Sequence, residues 1–193
     1  MNLSQYEKDL FTDKKIGFFI YLGVEAVMFL TLFITYLIFT PSSEGPHPSD
    51  LFSIFTVVMS SIFLLSSSGT VMIAEKGLKQ ANNKKIIPWL VVTLLLAVIF
   101  LVFEINEFSG FLTDGYGMST NSFLSSYYVL VGLHAAHVLF GCGWMIILLI
   151  QLKGIHIPFH LFVEKFKIFS YYWHFVDIVW IFIILLVYAK YLV

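Results

Sequence analysis

The chain has little charge and almost no cysteine, and each shortage excludes a class of protein. Of its 193 residues only 12% are charged, and Cys142 is the single cysteine. One cysteine excludes an internal disulfide and a cysteine-based metal site. The 59% of hydrophobic residues exceeds the roughly 45–50% typical of soluble domains. The composition therefore predicts an integral membrane protein.

Five apolar runs are long enough to cross a bilayer. A helix that rises 1.5 Å per residue needs about 20 apolar residues to cross roughly 30 Å of hydrocarbon. The predicted spans cover residues 16–39, 51–74, 86–103, 123–150 and 168–189. Short connectors rich in glycine, proline, asparagine or charge separate them, which leaves no room for a soluble domain. The prediction is an all-α bundle of five transmembrane helices, with residues 1–193 as one transmembrane domain.

The lysines predict the orientation of this bundle. All eleven basic residues are lysines, and ten of them precede the first span or lie between spans two and three or four and five. Only Lys190 lies on the other side. Basic residues favour the cytoplasmic face of a membrane protein. We therefore expect a cytoplasmic N-terminus and a C-terminus outside.

Five histidine or acidic side chains lie inside the predicted spans, and two further glutamates close the third span. They are Glu25, Glu104, Glu107, His134, His137, His174 and Asp177. Such a group in hydrocarbon costs roughly 2.5 kcal/mol or more, so it normally faces other helices, a partner protein or water. Glu25 falls near the middle of the first span, whereas Glu107 ends the third and is expected to be solvated or to lie at the membrane interface. The other six are candidates for internal contacts or for a functional site.

Several kinds of site are compatible with these residues. A metal site is one, but the Glu-x-x-His motif of di-iron bundles is absent from the predicted spans. A haem held by His134 and His174 is chemically allowed. A transporter with Glu25 as proton carrier would be expected to have a broken helix, and residues 24–27 contain no glycine or proline. The remaining interpretation is hydrogen bonding between helices, with Gly132 and Ala136 as a small pair that permits close approach.

Four blocks of sequence resemble subunit III of haem-copper respiratory oxidases. Tyr172-Trp173-His174-Phe175-Val176-Asp177-Ile178-Val179-Trp180 is similar to the terminal-helix motif of that family. The other blocks agree in order and spacing, and they are residues 17–29 with Glu25, residues 104–108 followed by 113–115, and residues 132–137. The resemblance covers nearly the whole chain and is to the short, five-helix bacterial form.

The resemblance implies a supporting role in a bacterial cytoplasmic membrane. Such a subunit carries no haem or copper of its own and packs against subunit I, which holds them and reduces dioxygen to water. It stabilises that core, helps proton uptake and binds phospholipid. Subunit II and possibly a small subunit IV are further partners, and no nucleic acid is expected. Cytochrome c, in an aa3-type oxidase, is favoured as the electron donor over quinol.

The resemblance also implies what the polar residues do. None of them would be catalytic or bind a metal or cofactor. Instead they would make structural hydrogen bonds or contact lipid, and the two tryptophans of the terminal motif would pack in the bundle or at its rim. The residues in this group are Glu25, Glu104, Glu107, His134, His137, Trp173, His174, Asp177 and Trp180.

Overall fold

Five long helices make up the part of the chain that the structure describes. The computed structural model describes residues 5–40, 52–80, 83–153 and 158–189. The helices are α1 (Gln5–Ile38), α2 (Ile54–Lys79), α3 (Asn83–Thr113), α4 (Ser122–Lys153) and α5 (Phe159–Ile183). The last of these continues as a π-helical turn at Ile184–Tyr188. All five are long and apolar enough to span a membrane, which confirms the predicted fold class.

Three helices extend well beyond the apolar runs that predicted them. α1 begins at Gln5 rather than near Ile16, α3 continues past Phe103 to Thr113, and α5 begins at Phe159 rather than near Ile168. Glutamate and lysine interrupt an apolar run without interrupting a helix, because both are good helix formers. Glu104 and Glu107 therefore lie inside α3 and not at its end.

The end of α3 is fixed by its own backbone hydrogen bonds. The amide of Tyr116 donates to the carbonyl of Phe111 at 2.8 Å, and that of Gly115 donates to Leu112 at 3.2 Å. This pair of bonds is a Schellman motif, which needs a residue in the left-handed region after the helix. Gly115 supplies it with a φ of 83°. The chain then turns towards α4, which Asn121 caps through a 2.7 Å bond from the Leu124 amide.

The helices pack around α4 and α5. α4 contacts α1, α3 and α5, while α5 contacts α1, α2 and α4, and α2 pairs along its length with α3. α5 is the most buried helix and α1 the least. The largest fully buried side chains are mainly aromatic, and Trp173, Tyr172 and Trp180 of α5 are among them. The terminal motif thus lies in the core of the bundle.

Candidate functional site

Polar side chains from four of the five helices lie at one depth. Glu25, Ser67, His137 and His174 each fall within one residue of the centre of their membrane-spanning segment. At 1.5 Å per residue they share the middle of the bilayer. We use the name central polar layer for seven polar residues at this depth, which are Glu25, Ser67, Ser68, His134, His137, His174 and Asp177.

The first contact in this layer joins α1 to α4. Nε2 of His137 lies 3.2 Å from Oε2 of Glu25, and Nδ1 of the same ring lies 2.8 Å from the carbonyl oxygen of Leu133. A carbonyl only accepts, so Nδ1 carries a proton. One further proton then lies between Nε2 and Oε2, either on an imidazolium that donates to a carboxylate or on a carboxyl that donates to the ring. Glu25 therefore has a fixed partner in the bundle.

The second set of contacts joins α5 to a row of serines on α2. The indole Nε1 of Trp173 donates to Ser67 Oγ at 2.9 Å, and that of Trp180 donates to Ser61 Oγ at 3.2 Å. Both indoles are fully buried, and a buried indole N–H normally needs a partner. The prediction that Trp173 and Trp180 pack in the bundle is therefore refined, because each also fixes the position of α5 against α2.

Ser68 makes the third contact of the layer and bridges two residues of α5. Its hydroxyl lies 2.8 Å from Nδ1 of His174 and also donates to Oδ2 of Asp177. His174 and Asp177 share a helix face because they are three residues apart. Asp177 is buried, and its other oxygen, Oδ1, has no hydrogen-bond partner among the described residues. The buried carboxyl is thus linked to a partly exposed imidazole through one hydroxyl.

His134 is held by contacts with aromatic rings and not by hydrogen bonds. It is fully buried and stacks on Trp180, with ring centroids 5.1 Å apart and an interplanar angle of 21°. The ring of Phe100 meets it edge-on at 5.9 Å. Neither ring nitrogen of His134 has a hydrogen-bond partner among the described residues. His134 and His174 therefore have different neighbours, one among aromatic rings and the other at a serine.

A separate polar cluster lies nearer the end of the bundle that contains the α3–α4 turn. The hydroxyl of Tyr127 lies 3.3 Å from Oε1 of Glu107 and 2.9 Å from the hydroxyl of Tyr188. Glu104 is 1% exposed, and neither of its oxygens has a hydrogen-bond partner among the described residues. The expectation that Glu107 lies at a helix end is wrong, because α3 continues past it to Thr113 and places its carboxyl against α4.

Across the described ranges, no three histidine, cysteine or acidic side chains come together as a set that could hold a metal ion. The polar groups instead lie in pairs or short chains between helices. Donors meet acceptors at hydrogen-bond distance in the pairs that involve Glu25, Ser68 and Glu107. The chemistry these contacts support is the holding and sharing of protons.

Several of these partners were not singled out from the sequence. Ser61 and Tyr127 carry no distinguishing local pattern, since the chain contains many serines and tyrosines. The close helix approach was expected at Gly132 and Ala136, but a Cβ on Gly132 would lie 3.7 Å from Phe108, an ordinary contact, and Ala136 is exposed. Among the described glycines the tightest contact is at Gly141, where the ring of Trp173 leaves no room for a side chain.

Comparison with known proteins agrees with this architecture. The family model described as "Cytochrome c oxidase subunit III" matches residues 4–191. The cytochrome c oxidase subunit 3 of Alkalihalophilus pseudofirmus is 40% identical over 178 residues, which cover 91% of this chain and 86% of that protein. The quinol oxidase subunit 3 of Bacillus subtilis is 40% identical over 169 residues, 87% of this chain and 82% of that protein. The chain therefore belongs to the subunit III family of haem-copper terminal oxidases, as a multi-pass protein of the bacterial cytoplasmic membrane.

Proposed function

We propose that this chain is a non-catalytic subunit that supports the catalytic subunit of its oxidase. The observation that carries the proposal is the central polar layer, whose groups bond to one another across helices. Glu25 is bonded to His137, and Asp177 to Ser68. Groups used in this way hold helices together at a depth where hydrocarbon offers no partner. The role of the terminal motif is then structural.

The partners follow from this role. We propose that subunit I is the main contact, that subunit II and a small subunit IV complete the complex, and that the haems and copper lie on those partners. A bound phospholipid is supported by an open groove of about 450 Å³ lined by Phe140, Gly143, Trp144 and Ile147. Its lining is almost wholly apolar, as an acyl chain requires.

The orientation is part of the proposal. We place the lysine-rich end of the bundle in the cytoplasm, with the N-terminus there and the C-terminus outside. Glu164 supports the grouping of these lysines, because its carboxylate lies 3.4 Å from Nζ of Lys15 on α1 and 2.7 Å from Nζ of Lys167 on α5. The starts of α1 and α5 thus meet at one face of the membrane. Cysteine labelling from each side of intact cells and inverted vesicles tests the assignment.

The electron donor separates two candidate complexes. We propose cytochrome c, with an aa3-type oxidase, and the support is the slightly greater coverage of the cytochrome c oxidase relative than of the quinol oxidase relative. Quinol is the second candidate, since relatives of both names are 40% identical to the chain. The copper-ligand cysteines and histidines of the accompanying subunit II decide between them, because a quinol oxidase lacks them.

Deletion of the chain tests the supporting role. Oxidase purified without it is expected to keep its haem spectra and its capacity to reduce dioxygen, and to show slower proton uptake and a lower melting temperature. The full complex, purified in the same detergent, is the control. Loss of haem from the depleted complex, or stoichiometric haem in the purified chain alone, would contradict the proposal.

A further inference from the structure

The contact between α2 and α5 contains one hydroxyl with two ionisable partners. Ser68 Oγ lies 2.8 Å from Nδ1 of His174 and is hydrogen-bonded to Oδ2 of Asp177. A serine hydroxyl has one proton to donate and lone pairs to accept with. It therefore donates to one of these partners and accepts from the other. The direction of the two bonds depends on where the protons are.

Two arrangements of protons fit the same heavy-atom positions. In the first, Nδ1–H of His174 donates to Ser68, and Ser68 donates to the Asp177 carboxylate. In the second, Oδ2–H of Asp177 donates to Ser68, and Ser68 donates to the lone pair of Nδ1. We propose that His174, Ser68 and Asp177 form a proton relay, in which a proton taken up at Nε2 of His174 leads to protonation of the Asp177 carboxyl.

The bonds made and broken balance. Uptake at Nε2 converts a neutral His174 that carries its proton on Nδ1 into an imidazolium. The Nδ1–H bond then breaks as a new Oγ–H bond forms on Ser68, and the original Oγ–H bond breaks as an Oδ2–H bond forms on Asp177. The products are a neutral imidazole protonated on Nε2, an intact serine and a neutral carboxyl. One proton has entered and no heavy atom has moved.

The two ends of the relay differ in access. His174 is partly exposed, whereas Asp177 is only 4% exposed. The carboxylate of Glu75, about two turns along α2 from Ser68, interacts electrostatically with His174. Glu75 lies near the end of α2 that contains Lys76 and Lys79. Because His174 lies at mid-membrane, its exposed part faces lipid or a partner subunit, so we place the entry of the proton at the Glu75 end of α2, on the lysine-rich face, and its end point at the buried carboxyl.

The ionisable groups that α1 and α4 place in the central polar layer have partners outside the relay. From α4, His134 stacks on Trp180, and His137 is bonded to Glu25 of α1. From α2, Ser68 and Glu75 are the groups that act on His174. Within the described part of the chain, no further ionisable side chain competes for the Ser68 hydroxyl.

The indole bonds on either side position the hydroxyl. Trp173 binds Ser67, next to Ser68, and Trp180 binds Ser61, about two turns earlier on α2. These two bonds fix α5 lengthwise against α2, so that Ser68 lies between His174 and Asp177. The relay goes beyond the supporting role, because support needs these bonds only to hold, whereas the relay needs a proton to move along them.

Infrared spectroscopy of the purified oxidase tests the relay. The carboxyl stretch lost in Asp177→Asn identifies the Asp177 band in pH-difference spectra of the wild-type complex. We expect that band to change with the same midpoint as histidine ring bands lost in His174→Gln. Ser68→Ala should shift the carboxyl midpoint and remove this coincidence, and Ser68→Thr, which keeps the hydroxyl, should preserve it.

Ser67→Ala is the matched control, because it removes a neighbouring hydroxyl from the same helix pair, leaves the three relay members in place and keeps the Trp180–Ser61 bond that aligns α5 with α2. An Asp177 band with the wild-type midpoint in Ser68→Ala would overturn the relay, as would a carboxyl that never changes protonation in the wild type. If Ser68→Ala fails to assemble, the relay is tested in the wild type by whether the carboxyl and histidine bands share a midpoint. Asp177→Glu then identifies the carboxyl band by its shift. Assembly of the variants with normal haem spectra reads out the supporting role separately.

Discussion

The indole ring of Trp173 occupies the space that a side chain on Gly141 would need. A Cβ built on Gly141 would lie 2.8 Å from Cε3 of that ring and closer still to Cζ3. Trp173 is fully buried and its Nε1 is bonded to Ser67. The ring therefore touches α4 on one side and α2 on the other, and it has no free direction in which to move.

Gly141→Ala should consequently destabilise the bundle. Overpacking a filled site costs about 1–3 kcal/mol, and displacing Trp173 would also strain its bond to Ser67. Thermal unfolding of the purified complex measures the effect, with the fraction of this subunit that stays bound as the readout. Gly143→Ala is the control, since a Cβ there meets nothing within 4 Å. Equal melting temperatures for the two variants would show that Trp173 can yield.

Glu25 is expected to matter for its hydrogen bond more than for its charge. Glu25→Ala leaves Nε2 of His137 without a partner at the centre of the membrane, a loss of about 1–3 kcal/mol. Glu25→Gln can still donate from its amide to that nitrogen and should stay close to the wild type. Retention of the subunit during purification and the haem spectrum are the two readouts. Only retention should change, and loss of haem from an assembled Glu25→Ala complex would contradict the prediction.

The bond between Trp173 and Ser67 can be measured by a double-mutant cycle. The variants are Trp173→Phe, Ser67→Ala and the pair together, with unfolding free energies of the solubilised complex as the readout. Hydrogen bonds between membrane helices average about 0.6 kcal/mol and reach about 1.7 kcal/mol. We expect a coupling energy within that range. The same cycle on Trp180 and Ser61, whose atoms are 3.2 Å apart, should give the smaller value, and a zero coupling in both would mean that the serines only fill space.

Tyr127 should be more sensitive than Tyr188 to loss of its hydroxyl. The Tyr127 hydroxyl bonds to both Glu107 and Tyr188, so Tyr127→Phe breaks two contacts and leaves the carboxyl of Glu107 without its tyrosine. Tyr188→Phe breaks one contact and keeps the pairing of Tyr127 with Glu107. The melting temperature should therefore fall further in Tyr127→Phe than in Tyr188→Phe. A larger loss in Tyr188→Phe would mean that the pair of tyrosines, and not the carboxyl, is the important contact.

The helices could be predicted from apolar runs, but their ends could not. Hydropathy falls at Glu104 because the side chain is charged in water, yet α3 continues to Thr113 and stops at the Schellman motif of Gly115. A local backbone geometry fixes the end, and an average over 20 residues does not detect it. For this reason the apolar runs predicted that Glu104 and Glu107 lie at a helix end.

The candidate site could be predicted residue by residue but not as a set of contacts. The rarity of charge in a membrane was sufficient to single out Glu25, His137 and Asp177. Their partners depend on which helices are neighbours and on how each is rotated, and a single sequence carries no record of either. The contacts of Ser68 and Gly141 are therefore visible only once α5 is seen to lie between α2 and α4.

The common depth of the central polar layer has a consequence for how the helices assemble. The hydrophobic effect alone does not resist a slide of one helix past another, because a lipid tail is as apolar as a leucine side chain. A slide of one turn, about 5.4 Å, would part His137 from Glu25 and Ser68 from Asp177. Hydrogen bonds placed at mid-membrane thus define the vertical alignment of α1, α2, α4 and α5. A newly inserted chain can reach the native arrangement only when the polar residues of those four helices lie at the same depth in the membrane.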